Sequence, residues 1–208
     1  MAALIKAAAA ADYPAEIVLV VSNRADALGL ERAKAAGIAT VVIESKPFGK
    51  DRTAFEAALQ RVLDQHRIEL ICLGGFMRLF TAAFAQSWYG RMLNIHPSLL
   101  PSFLGLDPQG QAMRAGVKIS GATVHFVIAE TDGGPILMQG AVAVSDYDSA
   151  ETLSERILEV EHRIYPDALR LLATGAVRLE GEICKTPDSA GSGNFLISPV
   201  AGADGTSA

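Results

Sequence analysis

Asn94, Ile95, His96, Pro97 and Ser98 stand in a row, Leu99-Leu100-Pro101 follows, and Asp132-Gly133-Gly134-Pro135 answers them further along the chain. An amide, an imidazole and a carboxylate thus sit in turn-rich settings at the ends of expected strands. Proline and glycine fix backbone shape there, so the polar side chains can be aimed instead of packed. Asn94 and His96 flank Ile95 and point to one face of a strand. The set suits chemistry at a carbonyl. An amide donates to a developing oxyanion without losing a proton, and removing such a donor costs on the order of 3 kcal/mol. An imidazole exchanges a proton near neutrality, a contribution of roughly 10²–10⁴ in rate. A carboxylate beside the ring stabilises its protonated form, which favours His96 as an acid toward a departing amine. Each residue alone also has a plain reading: a turn asparagine, a hydrogen-bonded histidine and an Asp-Gly turn. The combination favours chemistry.

The elements that must position these groups alternate. Met1 to Ala11 reads as helix, Ile17 to Val21 as strand, Ala25 to Ala36 as helix closed by Gly37, and Thr40 to Ile43 as strand. Asp51 to His66 carries Phe55, Ala58, Leu59 and Val62 at helical spacing. Ile68 to Leu73 is a third strand, Thr81 to Trp88 a short helix, and Arg91 to Ile95 a fourth strand. The pattern predicts an α/β fold with a doubly wound, mostly parallel sheet. Crevices at the carboxyl ends of such strands bind ligands, and Asn94 and His96 fall there. Beyond Pro101, Ala122 to Ile128 and Ile136 to Val144 read as strands flanking Asp132. Ser149 to Ala173 reads as a helix with Leu153, Ile157, Val160, Ile164, Ala168 and Leu171 on one face, kinked or divided at Pro166. The expected domain is 1–186. Residues 187–208 read as a flexible tail, and Gly191-Ser192-Gly193-Asn194 within it lacks the flanking strand and helix of a phosphate loop.

Composition narrows the function further. The 208 residues are half apolar and a fifth charged, with a net charge of −5 that argues against a broad nucleic-acid footprint. Cys72 and Cys184 have no metal-binding spacing and cannot build a disulfide framework. No apolar run has membrane-spanning length, so a cytoplasmic, small-molecule role without metal is expected.

The segment Leu93 to Pro101 resembles the signature of the phosphoribosylglycinamide formyltransferases, folate-dependent enzymes of purine biosynthesis. The likeness runs from about Ala2 to Leu179. It includes Ser22-Asn23-Arg24-Ala25-Asp26-Ala27, Gly75-Phe76-Met77-Arg78, Thr123-Val124-His125-Phe126-Val127, Asp132-Gly133-Gly134-Pro135-Ile136 and Glu161-His162-Arg163-Ile164-Tyr165-Pro166. The Asn-x-His-Pro-Ser core and the Asp-x-Gly-Pro turn are shared by folate formyltransferases and a deformylase. Gly-Phe-Met-Arg and Glu-His-x-Ile-Tyr-Pro point to the glycinamide ribonucleotide enzyme. The resemblance implies formyl transfer from 10-formyltetrahydrofolate to glycinamide ribonucleotide by a monomer or weak homodimer. It implies that Asn94 steadies the tetrahedral intermediate, His96 donates the proton and Asp132 tunes it. Arg52, Met77, Arg78, Leu79, Phe80 and the loop Ile128, Ala129, Glu130, Thr131, Asp132 are implied as folate contacts. Leu158, Glu159, Val160 and Glu161 are implied to face the ribonucleotide.

Rival readings stand beside these. Arg52 and Arg78 also fit as solvated charges, Met77 and Phe80 as core, and Glu161 as a helix-surface carboxylate. His125, in an apolar strand, reads as a hydrogen-bonded structural histidine, and His66 and His162 as ordinary helix residues. Two departures from the family matter. The family's first strand and its glycine-rich phosphate loop are expected to be missing from this chain, Met1 falling just after where that loop should end, which predicts weak binding of the ribonucleotide. After Gly105-Leu106 the family carries a His-x-His-Arg-Gln-like run, where this chain has Asp107-Pro108-Gln109-Gly110-Gln111. The alternatives are therefore a formyltetrahydrofolate deformylase or an inactive folate-binding remnant.

Overall fold

The computed structural model describes residues 1–186, so the expected tail and its glycine-rich stretch lie outside the described residues. β1 (Leu19–Ser22) pairs in parallel with β2 (Ala39–Val42). A four-stranded sheet runs β3 (Ile71–Cys72), β4 (Met92–His96), β5 (Ile119–Phe126), β6 (Ile136–Ala143). Its β3–β4 pair is parallel, whereas β4–β5 and β5–β6 are antiparallel. A short hairpin, β7 (Arg178–Glu180) and β8 (Ile183–Lys185), follows the last helix.

Helices cover both faces. Alternation along β4 sends Leu93 into a core with Leu4 of α1 (Ala2–Ala8) and with Leu153, Ile157 and Ile164 of α6 (Ala150–Ala173). Met92 enters the other core, with Phe55, Leu59 and Leu63 of α3 (Arg52–Gln65) and Phe84 of α4 (Ala82–Ser87). Two residues adjacent in sequence thus bind helices on opposite faces, as a period of two dictates. Leu153 and Ile157 are essentially inaccessible, and burying a side chain of that size stabilises by about 1.5–3 kcal/mol.

The helix starts are built locally. Asp51 accepts the Ala54 N–H at 2.9 Å, and Ser149 and Thr152 form a reciprocal capping box. α4 begins at Thr81, whose N–H and hydroxyl both donate to the buried Glu56 carboxylate at 2.5 Å. That grip ties α3 to the end of the Gly74–Phe80 loop. α2 (Leu28–Ala35) packs on β1 and β2.

Several expectations shift. The alternating α/β order is present, but parallel pairing is confined to β1–β4 because β5 returns antiparallel. The third strand keeps only Ile71 and Cys72 in ladder pairing, and the first begins at Leu19. Pro166 does not divide α6, which runs unbroken from Ala150 to Ala173 with Ile164, Tyr165, Ala168 and Leu169 buried on either side of it. α5 (Pro108–Ala115) and the β7–β8 hairpin were not apparent from periodicity.

Candidate active site

Asn94 and His96 share the β4 face that Met92 buries against α3 and α4. Their cross-strand partners on β5 are His125 and Thr123. Directly paired residues of antiparallel strands lie on one face, so an amide, two imidazoles and a hydroxyl meet there. Thr123 fixes the turn after His96. Its hydroxyl donates to the Ser98 carbonyl at 2.7 Å and accepts from Leu100 N–H and from the Gln139 amide, each at 3.0 Å. Gln139 also donates to the Leu100 carbonyl at 2.9 Å, and the Ser98 hydroxyl to the Ser102 carbonyl at 2.6 Å. The register between β5 and β6 shifts at Val124/His125, an irregularity of the kind that re-aims side chains beside sites.

Asp132 reaches the same place from the β5–β6 turn. It has φ +54, and the turn closes against β5 so tightly that a Cβ on Gly134 would lie 1.9 Å from the Phe126 carbonyl oxygen. Only glycine fits there. The Asp132 Oδ2 accepts the Gly105 N–H at 2.9 Å and lies 3.5 Å from Nδ1 of His96. Its Oδ1 is 3.8 Å from Nε2 of His125. The His96 and Asp132 side chains are 7% and 9% exposed. The Phe103 carbonyl lies 2.9 Å from Nε2 of His96. A carbonyl only accepts, so that nitrogen carries hydrogen and Nδ1 is left facing the carboxylate. The three residues singled out in the sequence are therefore brought together.

The loop that supplies Phe103 and Gly105 is braced by the segment in which this chain departs from the family pattern. Asp107 caps α5 by accepting the Gly110 N–H at 3.1 Å and pairs with Arg114 at 3.1 Å. The Gln111 amide donates to the carbonyls of Leu104 and Leu106, each at 2.9 Å. Sequence reasoning did not place Phe103, Gly105, Thr123 or His125 at the site. The backbone groups leave no side-chain signal, and Thr123 and His125 follow only from knowing that β5 lies beside β4.

The remaining expected residues divide. Met77 and Leu79 are exposed, and the Arg78 guanidinium sits over the Phe55 ring at 4.9 Å from its centroid. Phe80 is buried instead, stacked between Phe76 at 5.2 Å and Phe84 at 4.7 Å, so it supports that loop from within the core. Arg52 is exposed at the first turn of α3; Ala129, Glu130 and Thr131 are exposed and Ile128 half-buried in the approach to Asp132. On the opposite face of β4, Leu158 and Glu161 line a cavity of about 150 Å³ with Gly74, Gly75, Ile95 and Tyr165. Burial pushes the Glu161 carboxyl above the usual carboxylate range. Glu159 and Val160 do not line it. Glu159 faces solvent, and Val160 packs on Gly140, where a Cβ would fall 2.2 Å from Val160 Cγ1. Among the described residues no group of three His, Cys, Asp or Glu side chains is placed to hold a metal ion.

Known proteins resemble the chain over most of its length. The chicken trifunctional purine biosynthetic protein adenosine-3 is 53% identical over 172 residues, 82% of this chain but 17% of that protein. The chain therefore spans about a sixth of the length of that curated relative. The phosphoribosylglycinamide formyltransferase of Bacillus subtilis is 42% identical, with 77% of this chain and 82% of that protein covered. Among solved structures, glycinamide ribonucleotide transformylase 1 from Symbiobacterium toebii superposes with a TM-score of 0.85 at 45% identity, covering 89% of this chain and 87% of that one. A formyltetrahydrofolate deformylase from Pseudomonas syringae is more distant, with a TM-score of 0.76 at 29% identity, 82% of this chain and 56% of that one. The family model described as "Formyl transferase" matches residues 1–169, a span that takes in Asn94, His96 and Asp132 alike, and the chain belongs to the formyl transferase family.

Proposed function

We propose that the chain transfers a formyl group from 10-formyltetrahydrofolate to the amine of glycinamide ribonucleotide, a step of purine biosynthesis. The observation that carries this reading is the meeting of Asn94, His96 and Asp132 on the β4 face, with Nδ1 of His96 turned toward Asp132. The acceptor amine attacks the formyl carbon with its lone pair, and the carbonyl π pair moves onto oxygen. The Asn94 amide donates to that oxyanion. As the oxyanion pair re-forms the carbonyl, the carbon–nitrogen bond breaks with its pair leaving on the folate nitrogen, and protonated His96, backed by Asp132, gives that nitrogen its proton. The amine proton released in the reaction restores the imidazolium. The products are a formamide and tetrahydrofolate, and one proton is taken up for each released.

The loop after β3 borders both substrate regions: Gly74 and Gly75 line the cavity, and Met77 and Leu79 are exposed further along it. The folate lies on the Asn94 and His96 side, against Met77, Arg78, Leu79 and the loop Ile128 to Thr131, with Arg52 at its edge. The ribonucleotide takes the cavity at Leu158 and Glu161. The protein acts as a metal-free cytoplasmic monomer or weak homodimer on these small molecules. Names of relatives and of structural neighbours support the same chemistry, and no described helix is long and apolar enough to cross a membrane.

The test mixes the protein with both compounds and follows tetrahydrofolate by absorbance. Release that requires both supports the transfer. Equal release in water alone identifies a hydrolase, and folate binding without turnover identifies a non-catalytic binder.

A further inference from the structure

We propose that His125 is a positioning residue that fixes which way the Asn94 amide faces, by presenting to it a lone pair that only the amide nitrogen can satisfy. The proposal rests on the formyl-transfer reading for its kinetic consequences, while its structural content stands on the hydrogen bonds alone.

The chain of constraint begins at a backbone carbonyl. Nδ1 of His125 lies 3.0 Å from the Phe126 oxygen, which only accepts, so Nδ1 carries the hydrogen. A neutral ring has one N–H, and Nε2 is therefore a bare acceptor. It stands 3.2 Å from Nδ2 of Asn94. The opposite tautomer would set the Nδ1 lone pair against the Phe126 oxygen. The opposite amide orientation would set the Asn94 oxygen against the Nε2 lone pair. One arrangement of ring and amide satisfies both contacts.

The ring stays neutral for a stated reason. His125 is 3% exposed, and burial pulls its pKa below the ordinary histidine value. Two charged groups face it. Asp132, whose Oδ1 is 3.8 Å from Nε2, favours protonation, and His96, when charged, opposes it. That Oδ1 lies beyond hydrogen-bonding reach, so Nε2 is left to Asn94.

The consequence falls on the oxyanion. The terminal torsion of asparagine is broad and roughly two-fold, so an untethered amide presents oxygen as readily as N–H. Asn94 makes no other side-chain hydrogen bond among the described residues. With one N–H spent on His125, the second N–H remains for the substrate and the amide oxygen is turned away from Nε2. Without His125 a large share of molecules would offer an acceptor where a donor is required. A plain packing role for His125 predicts no such dependence.

His125→Asn keeps a donor near Phe126 but withdraws the acceptor from Asn94, whereas His125→Gln places a carbonyl oxygen near the Nε2 position. His125→Asn is expected to lower kcat by about tenfold to a hundredfold, less than loss of the whole donor, with both KM values within about threefold. His125→Gln is expected to restore most of kcat, and His125→Asn in an Asn94→Ala background to cost nothing further. Full kcat in His125→Asn, no rescue by glutamine, or an undiminished loss in the Asn94→Ala background would each overturn the proposal. Should the variants fail to fold, nitrogen NMR of the unaltered protein decides. A protonated Nδ1 and an acceptor-type Nε2 at His125 support the proposal, and the reverse tautomer overturns it. Unaltered protein that does not turn over defeats the formyl-transfer reading and leaves the NMR result to judge His125.

Discussion

The strands that pair in parallel and those that pair antiparallel are made of similar apolar runs and end up very differently enclosed. β1 is half-buried at all four positions and, among the described residues, pairs only with β2, and β3 contributes two paired residues. β5, paired on both sides, is buried at seven of eight positions, and β6 is held beneath α6. The polar cluster sits at the seam, on β4, which pairs in parallel with β3 and antiparallel with β5. The difference teaches that the antiparallel side supplies rigidity, through Thr123, His125, Gln139 and the Asp132 turn. The parallel side supplies exposed loop residues, Met77 and Leu79, on which a ligand can lie.

The comparison is broken most severely at the seam itself. His96→Ala is expected to lower kcat roughly 10²–10⁴-fold and Asn94→Ala roughly 10²–10³-fold, with melting temperatures little changed. Steady-state kinetics with calorimetry checks both, and retained turnover in either variant would remove that residue from the mechanism. Next in size is the same substitution made in each half. Gly134→Ala drives a Cβ to 1.9 Å from the Phe126 oxygen, so a loss of about 3 kcal/mol and displacement of Asp132 are expected. Gly75→Ala has open space but φ +67, and about 1 kcal/mol is expected from backbone strain alone. Chemical denaturation ranks the pair, and equal losses would sink the claim that the antiparallel side is the rigid one.

The legibility of these parts followed their physical cause. Asn94, His96 and Asp132 could be read because turn residues flank polar groups that have no packing reason to be there. α5 also carried its signals, with Asp107 as N-cap, Pro108 at its first turn and Gly116 after its end, but no long apolar stripe announced it. The return of β5 as an antiparallel strand was not legible, since an apolar run is the same read in either direction. The family resemblance places Phe80 beside the ligand with Met77, Arg78 and Leu79, but aromatic stacking draws it inward, in line with its alternative reading as core. The block Leu158 to Glu161 divides in the same way. Four successive residues cover every side of a helix, and only the pair three apart, Leu158 and Glu161, shares the cavity face.

The smallest effect expected separates two ion pairs of like composition. Asp148 accepts both Arg156 guanidinium nitrogens at 2.8 and 2.9 Å, the Ser145 N–H at 2.8 Å and the Thr152 hydroxyl at 3.0 Å. Arg156, with the Ser145 N–H, holds the Asp148 carboxyl well below the usual carboxylate range. Arg24 and Asp26, after β1, form a comparable pair at 2.8 Å, but both side chains are about 70% exposed. A carboxyl depressed in the folded state contributes stability that is present above its unfolded value, about 3.9 for aspartate, and is lost as pH falls through the folded one. Asp148→Asn should therefore lower Tm at pH 7, and its gap from the unaltered protein should narrow as pH drops below about 4. Asp26→Asn should leave Tm unchanged across the same range, because exposed pairs contribute little against solvent screening. A gap for Asp148→Asn that stays constant with pH would mean that packing at the start of α6, not the charge, holds that corner of the antiparallel half.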